Sequence, residues 1–334
     1  MAVTYAAVKS NRDLVVRQFL ASLGVGFNCS SKQDVQELLT ISHNPALITY
    51  THPYKTKAFL AYAALHGVKK LTVESTLELA LIREYHPNAE LLLRLATFQN
   101  VQNESRQSEF GLHPAESREF LLAVKASQLN LVGVAFHVEA DGSNPSVFQE
   151  ALVRSVETSR VVFEQAKELG FHMNQLDLGG GFRGQYFEDI ARALTDSLDR
   201  NFRTGCQILA EPGRFLVSSA VTKACRVIGK RLVPKSNGDL CHMLYLNDSI
   251  YDNFSIIIHD TKTLIPCVVH APHDCDPRSP QPGQALQKYT VCGSTTNVSD
   301  RMCEDCYLPG NIGIDDWLYF SDMGGTKATY AAIE

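Results

Sequence analysis

The feature that most limits the fold is a regular alternation of short apolar segments and amphipathic segments over the first two-thirds of the chain. Apolar residues spaced three and four apart indicate helices, and short runs rich in β-branched and aromatic residues indicate buried strands. Eight strand segments stand out: YAAVK, GVGFNCSS, ALITY, KKLTVES, ELLLRLAT, LVGVAFHV, NQLDLGGG and CQILAEPGR. Eight strand–helix units in roughly 210 residues favour a (β/α)8 barrel over an open sheet, since a whole barrel takes about 250 residues.

The pattern changes near residue 215, beyond which strand-like segments follow one another with turns between them and little helix. These segments are FLVSSAVTKACRVIGKRLV, LCHMLYLN, FSIIIHD, LIPCVVHA, KYTVCGS and DWLYFSDM. Consecutive strands without intervening helices predict a second, mainly β domain. We therefore expect an α/β barrel over residues 1–214 and a β-sheet domain over residues 215–334.

Composition and charge exclude several classes of protein. The 334 residues are 45% hydrophobic and 20% charged, which is ordinary for a soluble globular protein. The net charge is −5 and no basic tract occurs, so a nucleic-acid partner is not expected. No window of about 18 uninterrupted apolar residues occurs, and the N-terminus has no apolar signal segment. We therefore expect neither membrane insertion nor secretion, and a cytoplasmic location.

The nine cysteines are expected to be reduced thiols, because no signal peptide directs the chain to an oxidising compartment. Cys303 and Cys306 form a C-x-x-C pair, but a second pair at zinc-finger spacing is absent. Further candidate metal ligands are Cys292, His270, His273 and Cys275. The spacing favours loop residues without a ligand over a metal site, and no metal is predicted.

Polar residues recur where the predicted strands end. In (β/α)8 barrels the chemistry gathers at the carboxyl ends of the strands. This rule brings Lys9, Arg94, His137, residues 179–181 and Glu211 to one mouth, although they are spread over two hundred positions of the sequence. A histidine after an apolar run is more often a packed side chain, whereas the charge of Arg94 inside such a run must find a partner.

The glycine-rich segment LDLGGGFRG has two interpretations. Gly179, Gly181 and Gly184 satisfy G-x-G-x-x-G, and Asp199 follows twenty residues later, as in a dinucleotide-binding motif. Asp199 lies in a predicted helix, however, and the strand before the glycines is the seventh. A glycine loop at the rim of a barrel, whose amides can approach a phosphate, is the better interpretation. A simple tight turn remains the alternative.

The segment AEPGR places Glu211 at the end of the eighth strand and Arg214 three residues later. Phosphate sites of barrels are often built from the loops after strands seven and eight, and an arginine binds phosphate with several donors. A structural salt bridge is the alternative. Together, a lysine amine, a histidine ring, an acid and a glycine loop with an arginine match the needs of pyridoxal 5'-phosphate. Its protonated ring accepts the electron pair left behind when carbon dioxide departs.

Eight motifs then point to one family: AVKSN, HPYK, LLLRLAT, GVAFHV, LDLGGGFRG, AEPGRFLV, YLNDSIYDNF and DDWLYFSDMG. Their order and rough spacing resemble those of the eukaryotic ornithine decarboxylases and their relatives, the antizyme inhibitors. The resemblance covers nearly the whole chain. It implies an alanine-racemase-like barrel followed by a β domain, pyridoxal 5'-phosphate as cofactor, and a head-to-tail homodimer with active sites at its interface.

The resemblance also implies roles for single residues in the cofactor site. Lys9 matches the lysine that forms the Schiff base, His137 the histidine stacked on the cofactor, and Glu211 the partner of the pyridine nitrogen. Arg94 matches an active-site arginine, and Asp34 stands where the family has a glutamate near the cofactor. The phosphate-binding residues implied are Gly179, Gly180, Gly181 and Arg214.

On the substrate side, the resemblance assigns Asp260 to the distal amine of the substrate, with His259 in place of the usual tyrosine before it. The family reads roughly G-P-T-C-D-G where this chain reads GSTTNVSD. Thr296 thus replaces a cysteine that guides protonation. Asn297 replaces an aspartate that binds the substrate amine. Other departures are Asn28 near the Schiff base, Glu109 in a dimer contact, and Glu139, Ala140 and Thr326 around the phosphate.

The terminal segments of the family are missing at both ends of the sequence, so a β domain without its outer strands is expected. Two functions remain open. The first is a decarboxylase of a basic amino acid, ornithine to putrescine, with a weakened preference for ornithine. The second is a catalytically silent regulator that binds antizyme through about residues 55–86. The basic residues of that segment are Lys55, Lys57, Lys69, Lys70 and Arg83, which an ordinary solvated face would also explain.

Overall fold

A computed structural model of the chain describes residues 2–41, 44–97, 109–138, 144–202, 205–234, 240–259, 264–269 and 285–325. The chain divides into two compact units, Met1–Leu216 and Val217–Glu334.

The first unit is a closed barrel of eight parallel strands, as the sequence predicts. The strands are β1 Val3–Ala7, β2 Gly26–Cys29, β3 Ile48–Tyr50, β4 Lys70–Val73, β5 Glu90–Leu95, β6 Asn130–Phe136, β7 Gln175–Asp177 and β8 Gln207–Ala210. They pair in chain order, and the barrel closes where Val3 and Thr4 of β1 pair with Leu209 and Ala210 of β8. All eight strands therefore end at the same mouth of the barrel.

A helix follows each of the first seven strands. These helices are α1 Leu14–Ser22, α2 Lys32–Thr40, α3 Lys57–Leu65, α4 Leu77–Tyr85, α5 Ser117–Ala126, α6 Pro145–Glu168 and α7 Phe187–Asn201. Polar side chains cap the N-termini of some of these helices. The side chains of Asp13 and Thr56 accept hydrogen bonds from backbone amides in the first turns of α1 and α3. Within the described ranges, no helix is both long and apolar enough to cross a membrane.

The interior of the barrel is filled by side chains from several strands. Tyr5, Leu92, Ala135 and Leu209 form one buried cluster. Gly26 makes room for the ring of Tyr5, because a Cβ at this glycine would lie 2.6 Å from two ring carbons. The barrel interior is thus a packed core, and in such barrels the chemistry takes place at the carboxyl ends of the strands.

The second unit is mainly β, as predicted. Its described residues form six strands: β9 Lys223–Pro234, β10 Leu240–Leu246, β11 Cys267–Val268, β12 Leu286–Cys292, β13 Arg301–Pro309 and β14 Trp317–Phe320. They form one sheet in the order β11-β14-β9-β10-β12-β13. Neighbours are antiparallel except β10 and β12, which run parallel.

Two strand predictions are wrong in this unit and at its border. The start of FLVSSAVTKACRVIGKRLV is the short helix α8, Arg214–Val217, and the strand begins only at Lys223. The segment FSIIIHD contains a second short helix, α9 Ile256–His259. Its amides bond to carbonyls three residues earlier, as from Ile257 N to Phe254 O at 3.0 Å. A short apolar run has no periodicity that separates a strand from a buried helical turn.

The sequence prediction also missed β13, where it read the C-x-x-C pair as a loop. Asp305 has a positive φ of 56°, and the register shifts between the pairs Tyr289–Cys306 and Val291–Cys303. Because of this bulge, Glu304 and Asp305 are both exposed, so buried and exposed residues do not alternate regularly along the strand. Among the described residues no group of three or more possible ligands could hold a metal ion. His270, His273 and Cys275 lie outside the described residues.

Candidate active site

The first predicted site residue, Lys9, lies immediately beyond β1 in a turn of 3-10 helix, Val8–Ser10. The lysine is exposed, whereas its neighbours Val8 and Ser10 are buried. Within the part of the chain that the structure describes, its Nζ makes no hydrogen bond or ion pair. A short turn after a buried strand therefore places an exposed amine at the mouth of the barrel.

His137 follows β6 and is fixed by the glycine loop that follows β7. The backbone N–H of Gly180 donates a hydrogen bond of 3.1 Å to Nδ1 of His137. Burial, together with the positive charges of Lys9 and Arg94, lowers the pKa of His137 to about 4. The ring is therefore neutral near pH 7, with its proton on Nε2.

The glycine loop allows the backbones of neighbouring strand ends to approach closely. Gly179 and Gly181 have positive φ angles of 64° and 89°, a region that side chains rarely adopt. A Cβ at Gly180 would lie 2.7 Å from the carbonyl oxygen of Glu211 and 3.1 Å from Cε1 of His137. The amide of Glu211 donates to the Gly179 carbonyl at 2.7 Å, which joins the ends of β7 and β8.

Two carboxyl groups lie together below this loop. Asp177, at the end of β7, is 1% exposed, and one of its oxygens accepts a hydrogen bond of 2.9 Å from the Gly179 amide. Oε1 of Glu211 is buried and has no hydrogen-bond partner among the described residues. Burial raises the pKa of Glu211 well above its usual value, and the adjacent Asp177 raises it further. Burial likewise raises the pKa of Asp177 to about 6. The pair therefore retains a proton near neutral pH.

Asp177 is a site residue that was not predicted from the sequence, although a signal for it was present. An aspartate that ends a buried strand directly before a glycine loop lies at the mouth of a barrel by the same rule that selected Glu211. A second omission is the interaction of Glu211 with the side chain of Asn28 on β2, which is separated from β8 by β1. Oδ1 of Asn28 is engaged by the Thr51 hydroxyl at 2.5 Å.

Arg94 is a charged residue in an apolar strand, and it has the oppositely charged partner that such a position requires. Its guanidinium is 3.6 Å from Oε2 of Glu74 and lies over the ring of Phe110, 5.4 Å from the centroid. Burial raises the pKa of Glu74, while Arg94 opposes this shift. Arg214 is exposed where it begins α8. Both arginines thus follow or end strands of the barrel, as the sequence analysis expects.

Asp34 has a structural use that the sequence analysis did not foresee. Its carboxylate accepts hydrogen bonds from the amides of Ser30 and Ser31 at 3.2 and 3.0 Å, and the Ser31 hydroxyl accepts from its amide. These bonds form a capping box at the start of α2. Arg12 lies 3.4 Å from its other oxygen. Both oxygens of this buried carboxylate are therefore engaged by the protein.

The predicted substrate residues belong to the second unit. Thr296 and Asn297 are exposed in the loop between β12 and β13, and Oδ1 of Asn297 accepts a hydrogen bond of 2.9 Å from the Ser299 amide. The buried Asp300 organises this loop by accepting from the Thr295 amide at 3.0 Å. Asp260, Glu139, Ala140 and Thr326 lie outside the described residues.

The basic residues of the segment 55–86 do not share one exposed face, which corrects the sequence prediction. Lys55 is buried, with its Nζ 2.5 Å from Oε1 of Glu78. Lys70 points into the barrel, where its Nζ donates to the Tyr5 hydroxyl at 2.9 Å. The amphipathic pattern could not show this, because a lysine stem can lie along a core while its ammonium reaches an internal partner. Lys57, Lys69 and Arg83 remain exposed.

The groups at the mouth fit a phosphorylated aldehyde with a basic ring nitrogen. An amine without a partner suits the aldehyde, and the open amides of a glycine loop suit the phosphate. The buried Oε1 of Glu211 lacks the hydrogen bond that such an atom normally makes, and a protonated ring nitrogen would supply it. A neutral imidazole is compatible with packing against a cationic ring.

Comparisons with known proteins agree with this fit. The family model for the pyridoxal binding domain of pyridoxal-dependent decarboxylases matches residues 1–218. Ornithine decarboxylase of Neurospora crassa is 33% identical over 96% of this chain and 70% of its own length. Antizyme inhibitor 2 of Xenopus laevis is also 33% identical, over 96% of this chain and 70% of its length.

A solved structure supports the same assignment. The arginine decarboxylase of Paramecium bursaria Chlorella virus, bound to agmatine, superimposes with a TM-score of 0.84 at 27% identity, covering 98% of this chain and 84% of the viral one. The family model alone spans well over half of the chain. The chain therefore belongs to the ornithine decarboxylase and antizyme inhibitor family of pyridoxal-dependent decarboxylases, whose cofactor is pyridoxal 5'-phosphate.

Proposed function

We propose that this protein decarboxylates a basic amino acid, converting ornithine to putrescine, with pyridoxal 5'-phosphate bound through a Schiff base to Lys9. The observation that carries the proposal is the buried, unpartnered Oε1 of Glu211 at the same mouth as an exposed lysine amine. A chain without use for the cofactor would have no chemical reason to keep an unsatisfied buried carboxyl oxygen there.

Different residues of the mouth would bind different parts of the cofactor. Lys9 would bind its aldehyde carbon, and the loop 179–181 with Arg214 would bind its phosphate. His137 would pack on one face of the ring and Glu211 would bind the ring nitrogen. Arg94 lines the same mouth. Asp34 lies at the start of α2, where its capping hydrogen bonds hold the adjoining backbone in place.

When bound, the cofactor supplies a ring that accepts the electron pair released as carbon dioxide departs. The chain's own contribution is to keep a proton on the ring nitrogen and to keep charge away from its face. Glu211 serves the first purpose, because burial and Asp177 raise its pKa and make it a stronger base. His137 serves the second, because its ring stays neutral when its pKa is about 4.

We further propose that the substrate's distal ammonium binds Asp260 and Asn297. An amide in place of a carboxylate removes a charge-assisted hydrogen bond worth about 1.5–3 kcal/mol. The preference for ornithine is then weakened, and longer basic amino acids are tolerated. Support comes from relatives that are named for different basic substrates, ornithine for the Neurospora enzyme and arginine for the viral one.

The test uses the full chain purified with pyridoxal 5'-phosphate. We expect a visible absorption band that disappears in Lys9→Ala and persists in Lys69→Ala, because Lys69 is an exposed lysine at the amino end of β4, away from the carboxyl ends of the strands. We also expect labelled carbon dioxide from ornithine, lysine or arginine. Absence of a Lys9-dependent band would overturn the proposal, and a band without carbon dioxide from any amino acid would favour the second function.

The second candidate is a catalytically silent regulator of polyamine synthesis that binds antizyme. Two observations favour it: an antizyme inhibitor is as similar to the chain as the ornithine decarboxylases are, and the segment 55–86 exposes both cations and apolar residues. Leu65 and Leu77 are 80% and 88% exposed, close in sequence to the exposed Lys57 and Lys69. An acidic partner with apolar contacts would suit this composition.

Antizyme binding can be tested with charge reversals on that segment. Lys57→Glu and Lys69→Glu should each weaken antizyme binding several-fold, whereas Lys167→Glu on the exposed face of α6 serves as the matched control. Equal binding by all three variants would remove this interface from the proposal. Because a decarboxylase of the family could also bind antizyme, only the carbon dioxide measurement separates the two functions.

We also propose a homodimer with a weakened contact. Glu109, which stands where the resemblance expects a lysine of the dimer contact, is exposed. Light scattering at several concentrations should show a dimer that dissociates on dilution, and Glu109→Lys should shift the midpoint to lower protein concentration.

A further inference from the structure

Two loops of the second unit are joined by one buried carboxylate. The first loop follows β10 and contains Ile250, and the second joins β12 to β13 over residues 293–300. Asp300 is 2% exposed, and its Oδ1 accepts a hydrogen bond of 3.0 Å from the backbone amide of Ile250. The Ser294 amide donates to the Asp248 carbonyl at 2.9 Å, which is a second bond between the loops. Because Ile250 belongs to the buried core of this unit, the base of the second loop is tied to that core.

The other oxygen of Asp300 holds the exposed part of the second loop. Oδ2 accepts a hydrogen bond from the amide of Thr295 at 3.0 Å and another from its hydroxyl at 2.7 Å. A hydroxyl that donates can also accept, and Oγ1 of Thr295 accepts from the amide of Asn297 at 3.3 Å. Thr295 therefore connects a buried carboxylate to the backbone of the residue that is proposed to bind the substrate.

We propose that Asp300 and Thr295 are positioning residues for Asn297, and that the Thr295 hydroxyl is the group through which they set the affinity for the substrate's distal amine. This inference rests on the proposed contact of Asn297 with that amine. Asp300 and Thr295 act through the conformation of the loop and do not touch the substrate themselves.

The loop gives the Asn297 side chain a defined direction. Its Oδ1 accepts a hydrogen bond of 2.9 Å from the Ser299 amide, and its backbone carbonyl accepts from the Asp300 amide at 3.0 Å. An amide N–H can only donate, so Oδ1 rather than Nδ2 must face Ser299. A carbonyl oxygen has two lone pairs, and the second lone pair of Oδ1 can accept from an ammonium group. The order of the loop thus decides where this acceptor lies.

The surroundings of the loop fit this arrangement. A Cβ at Gly293 would overlap both carboxylate oxygens of Asp300, so glycine leaves the space that the carboxylate needs to reach both loops. On the side of β13, Nε of Arg301 donates to the Val298 carbonyl at 3.1 Å. The exposed part of the loop is therefore held from the core and from the following strand.

The expected effect on affinity has a physical reason in conformational entropy. Residues 294–299 are exposed, so hydrogen bonds rather than packing fix their backbone. Without the Thr295 hydroxyl, Asn297 would sample more conformations, and the substrate would have to order them when it binds. The loss of order therefore weakens the binding of the substrate and leaves the cofactor site unchanged.

The test compares Thr295→Val, which removes the hydroxyl and keeps the shape, with Thr295→Ser, which keeps the hydroxyl. In the full chain loaded with pyridoxal 5'-phosphate, Thr295→Val should raise the KM for the best of ornithine, lysine and arginine about three- to tenfold, the range for one lost hydrogen bond. Thr295→Ser should restore most of the affinity. In both variants kcat should change much less than KM, because the distal amine is bound equally before and during the reaction.

Ser294→Ala is the matched control, because it removes an exposed hydroxyl that makes no hydrogen bond among the described residues and lies one position away. The visible band and the dissociation constant of the cofactor should be the same in all of these proteins. A change in either of them would show that Thr295→Val disturbs more than the substrate loop and would overturn the inference.

A second measurement does not depend on activity. Hydrogen–deuterium exchange of the full chain, followed by mass spectrometry, reports on the peptides that cover residues 293–300. We expect faster exchange in Thr295→Val than in Thr295→Ser or Ser294→Ala, because a loop that opens more often exposes its amides. Asp300→Asn should accelerate exchange in both loops, and the Thr295 variants decide the question if Asp300→Asn fails to fold.

Equal exchange and equal KM in Thr295→Val, Thr295→Ser and Ser294→Ala would overturn this inference even if the Lys9-dependent band is present. Faster exchange in Thr295→Val with an unchanged KM would also overturn it, because the order of the loop would then not serve the substrate. If none of the proteins releases carbon dioxide, the proposed function is rejected, and faster exchange would still support the hold of Asp300 on the loop. The two ideas therefore fail on different measurements.

Discussion

The backbone amide of Gly180 donates to Nδ1 of His137 at 3.1 Å, and this one bond selects the tautomer of the ring. An amide N–H can only donate, so Nδ1 must be the acceptor and the proton must reside on Nε2. The loop after β7 therefore determines the chemical state of a side chain that follows β6.

We expect the His137 ring to remain the neutral Nε2–H tautomer from about pH 5 upward, since burial lowers its pKa to about 4. Two-dimensional 15N NMR of the histidine rings would show this directly, with the exposed His172 as the reference signal. A doubly protonated His137 ring at pH 6 would contradict the prediction.

Substituting the middle glycine of the loop should damage the site without unfolding the barrel. In Gly180→Ala, the new Cβ would meet the Glu211 carbonyl at 2.7 Å and the His137 ring at 3.1 Å, so the ends of β7 and β8 must separate. We expect pyridoxal 5'-phosphate to bind at least about tenfold more weakly, because a shift near 1 Å in a preorganised site has effects of this size or larger.

Gly184→Ala is the matched control, because nothing lies within 4 Å of a Cβ at that position. Fluorescence titration with the cofactor gives the dissociation constants of both variants, and circular dichroism verifies the fold. Unchanged affinity in Gly180→Ala would show that the loop does not form the phosphate site.

The barrel and most of its mouth could be predicted from the sequence because strand order in a (β/α)8 fold converts linear positions into one ring of strand ends. Lys9, Arg94, His137 and Glu211 all follow or end strands, as expected. The sequence could not show the hydrogen bonds between the ends of neighbouring strands, such as that from Gly180 to His137. These depend on the register between paired strands and on the conformation of the loops that follow them.

The failures share a physical cause, which is that a side chain's direction is not fixed by its local pattern. Lys55 and Lys70 look like surface cations in an amphipathic segment, yet each reaches an internal partner. Asp34, which the resemblance places near the cofactor, also closes a helix cap with its oxygens, and its position in sequence did not show this. In β13, the bulge at one aspartate interrupts the alternation of buried and exposed residues by which a strand is recognised.

Lys55 and Glu78 form an ion pair at 2.5 Å whose removal should destabilise the barrel. Burial lowers the pKa of Lys55 although Glu78 opposes the shift, so the ammonium depends on this partner and on the His52 carbonyl at 3.0 Å. Lys55→Met leaves Glu78 without its charge partner, and breaking one side of a buried pair costs about 3–5 kcal/mol.

The free energy of unfolding in urea measures this cost, with the exposed Lys57→Met as the control. The double variant Lys55→Met/Glu78→Gln should recover part of the loss, since it leaves no unpaired charge. If Lys55→Met and Lys57→Met are equally stable, the ion pair has no structural role.

The pH dependence of stability should reveal His137 and Asp177 as opposing contributions. The folded pKa of His137, about 4, lies below its unfolded value near 6.5, so the unfolded chain binds a proton first. Stability due to this residue is therefore lost as the pH falls from about 6.5 towards 4. The folded pKa of Asp177, about 6, lies above the usual carboxyl value. Its contribution is complete at low pH and is lost as the pH rises through about 6.

These two effects cancel in large part between pH 4 and 6 in the unchanged protein, so single substitutions are needed to separate them. On moving from pH 7 to pH 4.5, His137→Phe should gain about 2 kcal/mol of unfolding free energy relative to the unchanged protein, because it no longer excludes a proton. Asp177→Asn should lose stability relative to the unchanged protein over the same range. Urea unfolding at both pH values measures the difference, with His172→Phe as the control for the substitution itself. Parallel pH profiles for all of these proteins would show that neither group titrates at a shifted pKa in the folded chain.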